Sequence, residues 1–412
     1  MTHTINSQFV LSRTPDGPLA AFLDGFASFA GTQGYTPKSV HRRLLLAACF
    51  SQWLKKEGIG ISDITSDHPA RYLRHRAGLL RVYQHDHFAL GHFIEFLRLE
   101  GVIPPEKIPV CHATEAESLV QAYEQYLRET CGLAAATIMN YVPFVRSFLR
   151  HRFGAGQVAL SQLSASDIIG FVQHTARGVH RKQAKLMTTA LRSFLRYVCY
   201  RGEGMPDLVA TVPTVANWSM TSLPRAISAD QVNRVLASID RSTAVGRRDY
   251  AILLLFARLG LRLGEVAFLE LDDIDWASGT LHLRTKGGIR NTFPLSHEVG
   301  AAIADYLRHG RPRCSSRRVF LRVRPPIGGF RSVSGIGSVV RHVIERAGVD
   351  APTRGAHQFR HGLATGMLRH GASLTEIGDI LGHRHPDTTR IYTRVDLEAL
   401  RTLALPWPGG VR

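Results

Sequence analysis

The feature that most restricts what this chain can fold into is an internal repeat. Residues 34–50 line up with residues 132–148, which places Val40 over Ile138 and Phe50 over Phe148. Farther on, Ile61-Ser-Asp-Ile-Thr lies over Leu160-Ser-Gln-Leu-Ser and Tyr72 over Phe171. Leu90-Gly-His-Phe then lies over Leu191-Arg-Ser-Phe, and the copies close at Gly101 and Gly202, with the offset drifting only from 98 to 101 residues. Apolar residues recur at spacings of three and four, as in Phe22, Phe26 and Phe29, then Val40, Leu44 and Leu45, then Leu90, Phe93, Phe96 and Leu97. Such spacing puts one apolar face on a helix. A helical pattern that returns at nearly constant spacing means one small helical module built twice.

The Pro-containing segment 102–109 separates the two copies, and 206–224, with Pro213 and Pro224 among polar residues, has the composition of a linker. The expected division is a helical module at 1–110, a second at 111–205, the linker 206–224 and a C-terminal domain at 225–412. In that domain Ser228 is suited to cap a helix over 229–239. A strongly apolar helix over 249–259 follows and ends at Gly260. Two short alternating strands, 280–284 and 290–295, flank a Lys286-Gly287-Gly288 turn. Helices are expected at 297–308, 336–347, 357–370 and 374–382. The predicted fold class is therefore mostly α with a small antiparallel β-sheet in the C-terminal domain.

With 51 Lys plus Arg against 33 Asp plus Glu, a formal charge of +18, the chain calls for a polyanionic partner. Nucleic acid fits, because neutralising phosphates releases condensed counterions. The five cysteines are scattered, odd in number and lack Cys-x-x-Cys spacing, which argues against a disulfide frame and a zinc site and favours a reducing cytoplasm. The start is polar, and the longest apolar runs, such as 251–257, fall far short of the roughly 20 residues a membrane helix requires, so no membrane partner is expected.

The chemistry concentrates near the C-terminus, in Ala356-His-Gln-Phe-Arg-His361, Leu381-Gly-His383 and Thr389-Arg-Ile-Tyr-Thr393. If His357 opens a helix, Arg360 and His361 fall three and four residues on and share its face. Arg offers a planar fork of donors that fits phosphate oxygens. Tyr392 follows a His-Pro-Asp break that lets its helix approach from another direction. Earlier, glycines flank Arg262 in Arg258-Leu-Gly-Leu-Arg262-Leu-Gly-Glu265 and allow a turn that aims one side chain away from the core. Each residue also has a plainer reading. Arg262 could cap helix carbonyls or pair with Glu265, Lys286 could be a solvated turn lysine, and Tyr392 an ordinary half-buried residue. His383 and His385 could be metal ligands, but no third ligand lies close in sequence.

Taken in order, these residues resemble the signature boxes of the tyrosine recombinases, the phage integrase family: Gly-Leu-Arg-x-Gly-Glu, a lysine in a β-turn, His-x-x-Arg, Leu-Gly-His and a nucleophilic Tyr. The resemblance covers about 115–400, with Phe359 standing where the family more often has Leu. It implies a tyrosine-recombinase catalytic fold preceded by helical DNA-binding modules. Arg262 and Arg360 would stabilise phosphate charge, with Glu265 in support. Lys286 would protonate the leaving 5′ oxygen, although Arg284 and Arg290 stand beside it; His357 would assist proton transfer at the tyrosine, and His383 would bind a phosphate oxygen. Tyr392 would form a covalent 3′-phosphotyrosyl link that needs neither ATP nor metal nor any other cofactor. The second module would be the family's core-binding domain. Its basic stretch Arg177, Arg181, Lys182 and Lys185 is either a phosphate-contacting face or a solvated one. The first module, an addition to the minimal architecture, either grips more DNA or contacts protein. The implied partners are double-stranded DNA and three further copies, or related recombinases, in a tetramer. The expected setting is the bacterial cytoplasm, on the nucleoid, with integration, transposition or resolution as the role. Leu397, Leu400 and Leu403 are spaced for a tail that packs on its own or on a neighbouring subunit. Two rivals are a type IB topoisomerase, which relaxes supercoils without exchanging strands, and a catalytically silent DNA-binding protein.

Overall fold

The computed structural model describes residues 3–5, 9–11, 14–104, 114–154, 156–203, 207–215, 225–284, 290–382 and 386–394. After a short hairpin, β1 (His3–Ile5) and β2 (Phe9–Leu11), come four helices: α1 (Leu23–Thr32), α2 (Pro37–Lys56), α3 (Asp67–Ala77) and α4 (Gln84–Leu99). Four more repeat the pattern: α5 (Glu115–Glu129), α6 (Ala135–Phe153), α7 (Ala165–Ala176) and α8 (Arg181–Tyr200). Each set carries a single 3-10 turn between its second and third helices, Ile61–Asp63 and Leu160–Gln162. The short helix α9 (Asp207–Thr211) follows.

The two sets bury the same positions. Val40, Leu44, Ala47 and Phe50 form the inner face of α2, and Ile138, Val142, Val145 and Phe148 that of α6. Leu90, Phe93, Ile94 and Leu97 on α4 match Leu191, Phe194, Leu195 and Val198 on α8. Even the ring contacts recur: Phe50 meets Tyr72 with centroids 5.4 Å apart, and Phe148 meets Phe171 at 5.3 Å. Each module thus has its own apolar core, and truncating either fully buried Phe would cost about 3–5 kcal/mol.

By backbone contacts, residues 1–106 and 222–412 form one compact unit and 107–221 another. Within the first unit, the N–H of Ile327 donates to the Gln33 carbonyl at 2.9 Å. Gly34, at φ +84°, lies so close that a Cβ there would come 2.4 Å from Ile327 Cγ1, so only glycine fits the contact.

The C-terminal domain is built on α10 (Ala229–Ala237), α11 (Ala244–Leu259), α12 (Leu263–Ala267), α13 (His297–His309), α14 (Val333–Arg346), α15 (His357–Arg369), α16 (Leu374–Leu381) and α17 (Pro386–Thr389). Ser228 caps α10 as expected, accepting the Gln231 N–H in a capping box. α11 begins five residues before the expected start because Thr243 caps it and the charged pair that follows is buried. Arg248 donates two hydrogen bonds to Asp249 Oδ1 and one to the Leu321 carbonyl, so charges that suggest surface sit inside the domain. Around α11 the apolar core includes Ile252, Leu254, Leu255, Phe256, Ile303, Ile336 and Phe359. A three-stranded antiparallel sheet, β3 (Ile274–Asp275), β4 (Thr280–Arg284) and β5 (Arg290–Pro294), runs in the order β3-β4-β5, with Leu281 opposite Phe293. Leu281, Leu283 and Phe293 face the core, as the period-2 pattern requires. A minor ribbon, β6 (Leu321–Arg322) and β7 (Gly328–Gly329), was not foreseen. The outcome is mostly α with a small antiparallel sheet.

Candidate active site

Arg262 is placed by the end of one helix and the start of the next. α11 stops at Gly260 in the left-handed conformation, φ +59°, and Arg262 then takes the N-cap position of α12. Glu265, one turn on, accepts the Arg262 backbone N–H at 2.7 Å and its Nη1 at 2.9 Å. The carboxylate therefore anchors both the backbone and the guanidinium. Its side chain is nearly buried at 6% exposure, whereas that of Arg262 keeps 31%, leaving part of the cation open to a ligand.

Arg360 rises from α15 and is buried. Its Nη1 donates to the Gly260 carbonyl at 2.6 Å and its Nη2 to the Leu381 carbonyl. Arg262 Nη2 donates to the next carbonyl along, that of Gly382, at 3.1 Å. Both guanidiniums are thus fixed to successive carbonyls at the C-terminal end of α16, where partial negative charge collects. Burial first, then the Arg262 charge, pull Arg360 down to about 10, which still leaves it protonated at neutral pH. Two cations that disfavour each other in a buried setting gain most from an anion between them.

Tyr392 lies in the 3-10 turn Arg390–Arg394, directly after α17. Its ring is 1% exposed and packs with Ala364, Ile377 and Leu381. Burial pushes the phenol up to about 12, with Arg360 acting in the opposite direction. Oη lies 3.0 Å from His361 Nδ1. His361 in turn stacks on His357, with centroids 6.1 Å apart and planes at 29°. Burial, then His357 and Arg360, lower His361 from its ordinary value. His357 is likewise lowered, by desolvation and then by Arg360 and Arg262. Both rings therefore favour the neutral form, and one of them sits at a phenol.

Arg262, Glu265, Arg360 and Tyr392 come together, and His357 joins them through His361. The imidazole next to the phenol belongs to His361, not to His357 as the motif suggested. His361 directly follows Arg360 on the same helical face, but spacing alone gives it no role distinct from that of His357. Lys286 and His383 lie outside the described residues, as do His385 and the leucine-bearing tail beyond 394. Arg177, Arg181, Lys182 and Lys185 are all exposed, clustered on the link between α7 and α8 and the first turns of α8.

Two fixed arginines beside a tyrosine are the residue types that can hold a phosphate next to a nucleophile, and the chain's relatives place it in the corresponding class, the site-specific tyrosine recombinases that cleave and rejoin DNA. The chain belongs to the phage integrase family, whose signature matches residues 225–398, with the family's N-terminal SAM-like domain at residues 120–202. It is 54% identical over 410 residues to the integrase/recombinase y4rA of Sinorhizobium fredii, covering 99% of each chain. It is 30% identical over 309 residues to the tyrosine recombinase XerD of Mycobacterium tuberculosis, covering 70% of this chain and 96% of that one. Among solved structures, the recombinase XerH on a palindromic difH substrate superposes with a TM-score of 0.54 at 18% identity, covering 70% of this chain and 84% of that one. A lambda integrase dimer on a core site gives 0.52 at 16%, covering 67% and 94%. At those identities the superpositions speak for the fold alone.

Proposed function

We propose that this chain is an integrase or transposon-type recombinase in which Tyr392 Oη attacks a DNA phosphodiester. The attack forms a 3′-phosphotyrosyl bond and releases a 5′ hydroxyl, and the reverse step joins a different strand. One observation carries the reading: the 3.0 Å approach of His361 Nδ1 to Tyr392 Oη beside the pair Arg262 and Arg360. With Nδ1 unprotonated, the phenol donates to it, and the imidazole takes the proton as the O–P bond forms. Arg262 and Arg360 hold the nonbridging oxygens as charge grows on them, and Glu265 fixes the direction of Arg262. His357, stacked on His361 and exposed, holds that imidazole in place against the phenol. Lys286 protonates the leaving 5′ oxygen and His383 donates to a phosphate oxygen; these two roles rest on the family motif. Because Tyr392 is nearly inaccessible, its segment shifts when DNA binds.

The proposed substrate is duplex DNA, bound in part through Arg177, Arg181, Lys182 and Lys185, and the acting species is a tetramer of this chain or of this chain with related recombinases. No cofactor is assigned. Among the described residues no helix is long and apolar enough to cross a membrane. The proposed setting is chromosomal DNA in the cytoplasm, and the excess of basic charge supports the DNA partner.

The test is a plasmid carrying two copies of the DNA site next to the gene, treated with the full chain in EDTA. Exchange products, inverted or resolved, are expected. Supercoil relaxation with no exchange would assign the chain to topoisomerase chemistry instead.

A further inference from the structure

The first helical module lies before residue 120, where the two family signatures begin. It presents cations at the same point of its fold as the second module. In the second, Arg177, Arg181, Lys182 and Lys185 lie on the link between the third and fourth helices and on the start of the fourth. In the first, the matching link carries Arg81 and Tyr83, α4 has His85 in its first turn, and the neighbouring α2 adds Arg42; all four are exposed. The sequences of the two links have diverged, yet both are basic.

The cluster in the first module is organised around one ring. Arg42 Cζ lies 5.6 Å and Arg81 Cζ 5.1 Å from the Tyr83 centroid, and the His85 ring stacks on Tyr83 at 5.1 Å with planes at 13°. Arg42 Nη2 also meets His85 Nε2. The carboxylate touching the cluster is Asp86, which is buried and caps α4 by accepting the Tyr83 N–H at 2.9 Å, with its other oxygen 3.3 Å from His85 Nε2. Among the described residues neither Arg42 nor Arg81 has a carboxylate partner. Two exposed guanidiniums gathered around one aromatic ring suit successive phosphates of a nucleic-acid backbone.

We propose that Arg42, Arg81, Tyr83 and His85 form a second duplex-DNA contact, so that the chain engages the phosphate backbone with both copies of its repeated module. The hydrogen bond from Ile327 to Gln33 and the close approach at Gly34 tie this module to the C-terminal domain. A grip by the first module is thereby transmitted to the unit that carries Tyr392. The proposal rests on the recombinase reading above.

The experiment measures binding of the full chain to a 60-bp mixed-sequence duplex, roughly six helical turns, across a salt series. The double substitution Arg42→Gln with Arg81→Gln is compared with Lys55→Gln with Lys56→Gln at the other end of α2. Each phosphate contact contributes about 0.9 to the slope of log affinity against log salt. The first double variant should therefore lose about 2 from the slope with an unchanged melting temperature, and the second should match wild type. If wild type binds DNA and the slope of the Arg42/Arg81 variant is unaltered, this proposal is overturned while the recombinase reading stands. An unaltered slope with lost self-association would make the cluster a protein contact, which also overturns it. Absence of any salt-dependent binding by wild type would overturn both.

Discussion

Replacing His361 by Asn puts an amide atom close to where Nδ1 stands but removes its basicity, so it separates a proton acceptor from a mere hydrogen-bond partner. Burial raises Tyr392 to about 12, while His361 lies below its ordinary 6.5. The two groups are thus separated by more than about 5 pKa units, and complete transfer before attack would cost about 7 kcal/mol or more. The imidazole is therefore useful only if the proton moves while the bond to phosphorus forms, the regime in which a positioned base contributes about 10²–10⁴-fold. Single-turnover cleavage of an end-labelled duplex should fall by that factor in His361→Asn, with the melting temperature little changed. The pH profile supplies the sign. Since His361 is lowered by burial, His357 and Arg360, with Arg262 and Tyr392 also facing the site, the wild-type rate should rise with pH through a region below 6.5 and level off by neutrality. The variant should lose that inflection. An Asn variant that cleaves at the wild-type rate with the same inflection would refute the assignment of His361.

Gly260→Ala should cost about 1–2 kcal/mol in chemical denaturation for its left-handed backbone. The new Cβ would crowd the side-chain tips of Leu381 and Leu363 and touch Arg360 Cγ at 3.7 Å, so the larger effect should be slowed cleavage through a displaced Arg360 and the carbonyl that holds it. A 5′-bridging phosphorothiolate, whose thiolate leaves without help, should restore Lys286→Ala to near the wild-type rate while Arg262→Ala and Arg360→Ala stay slow. Rescue of Arg284→Ala or Arg290→Ala in its place would move the acid to that residue. Stability should fall as pH drops from about 6.5, because His92, His357 and His361 are lowered in the folded state and the unfolded chain takes up their protons first. Urea midpoints at successive pH values read this, and His92→Gln should flatten the trend.

Much of the fold was legible because burial obeys spacing. Phe50 and Phe148 repeat in sequence and again in ring geometry, and Leu281 and Leu283 alternate toward the core as the strand pattern required. The start of α11 was misjudged because Arg248 and Asp249 satisfy each other inside the domain, and an ion pair between adjacent residues leaves no trace in hydropathy. At the site, spacing along α15 put His357, Arg360 and His361 on one face, yet could not tell which imidazole meets the phenol. That choice depends on how the turn carrying Tyr392 returns to α15, a tertiary contact between residues 31 apart. The burial of Tyr392 was equally invisible, since it arises from Ala364, Ile377 and Leu381 on two other helices.

The central claim is that Tyr392 becomes bonded to DNA. A duplex nicked close to the cleavage position, so that the released fragment diffuses away, traps such a bond and is resolved on a denaturing gel. Wild type should give a slow-migrating adduct whose peptide, after digestion, carries the nucleotide on Tyr392. Tyr392→Phe, which removes one hydroxyl and little volume, should bind the duplex and give none; an adduct of normal yield in that variant, or one mapped to another residue, would contradict the account.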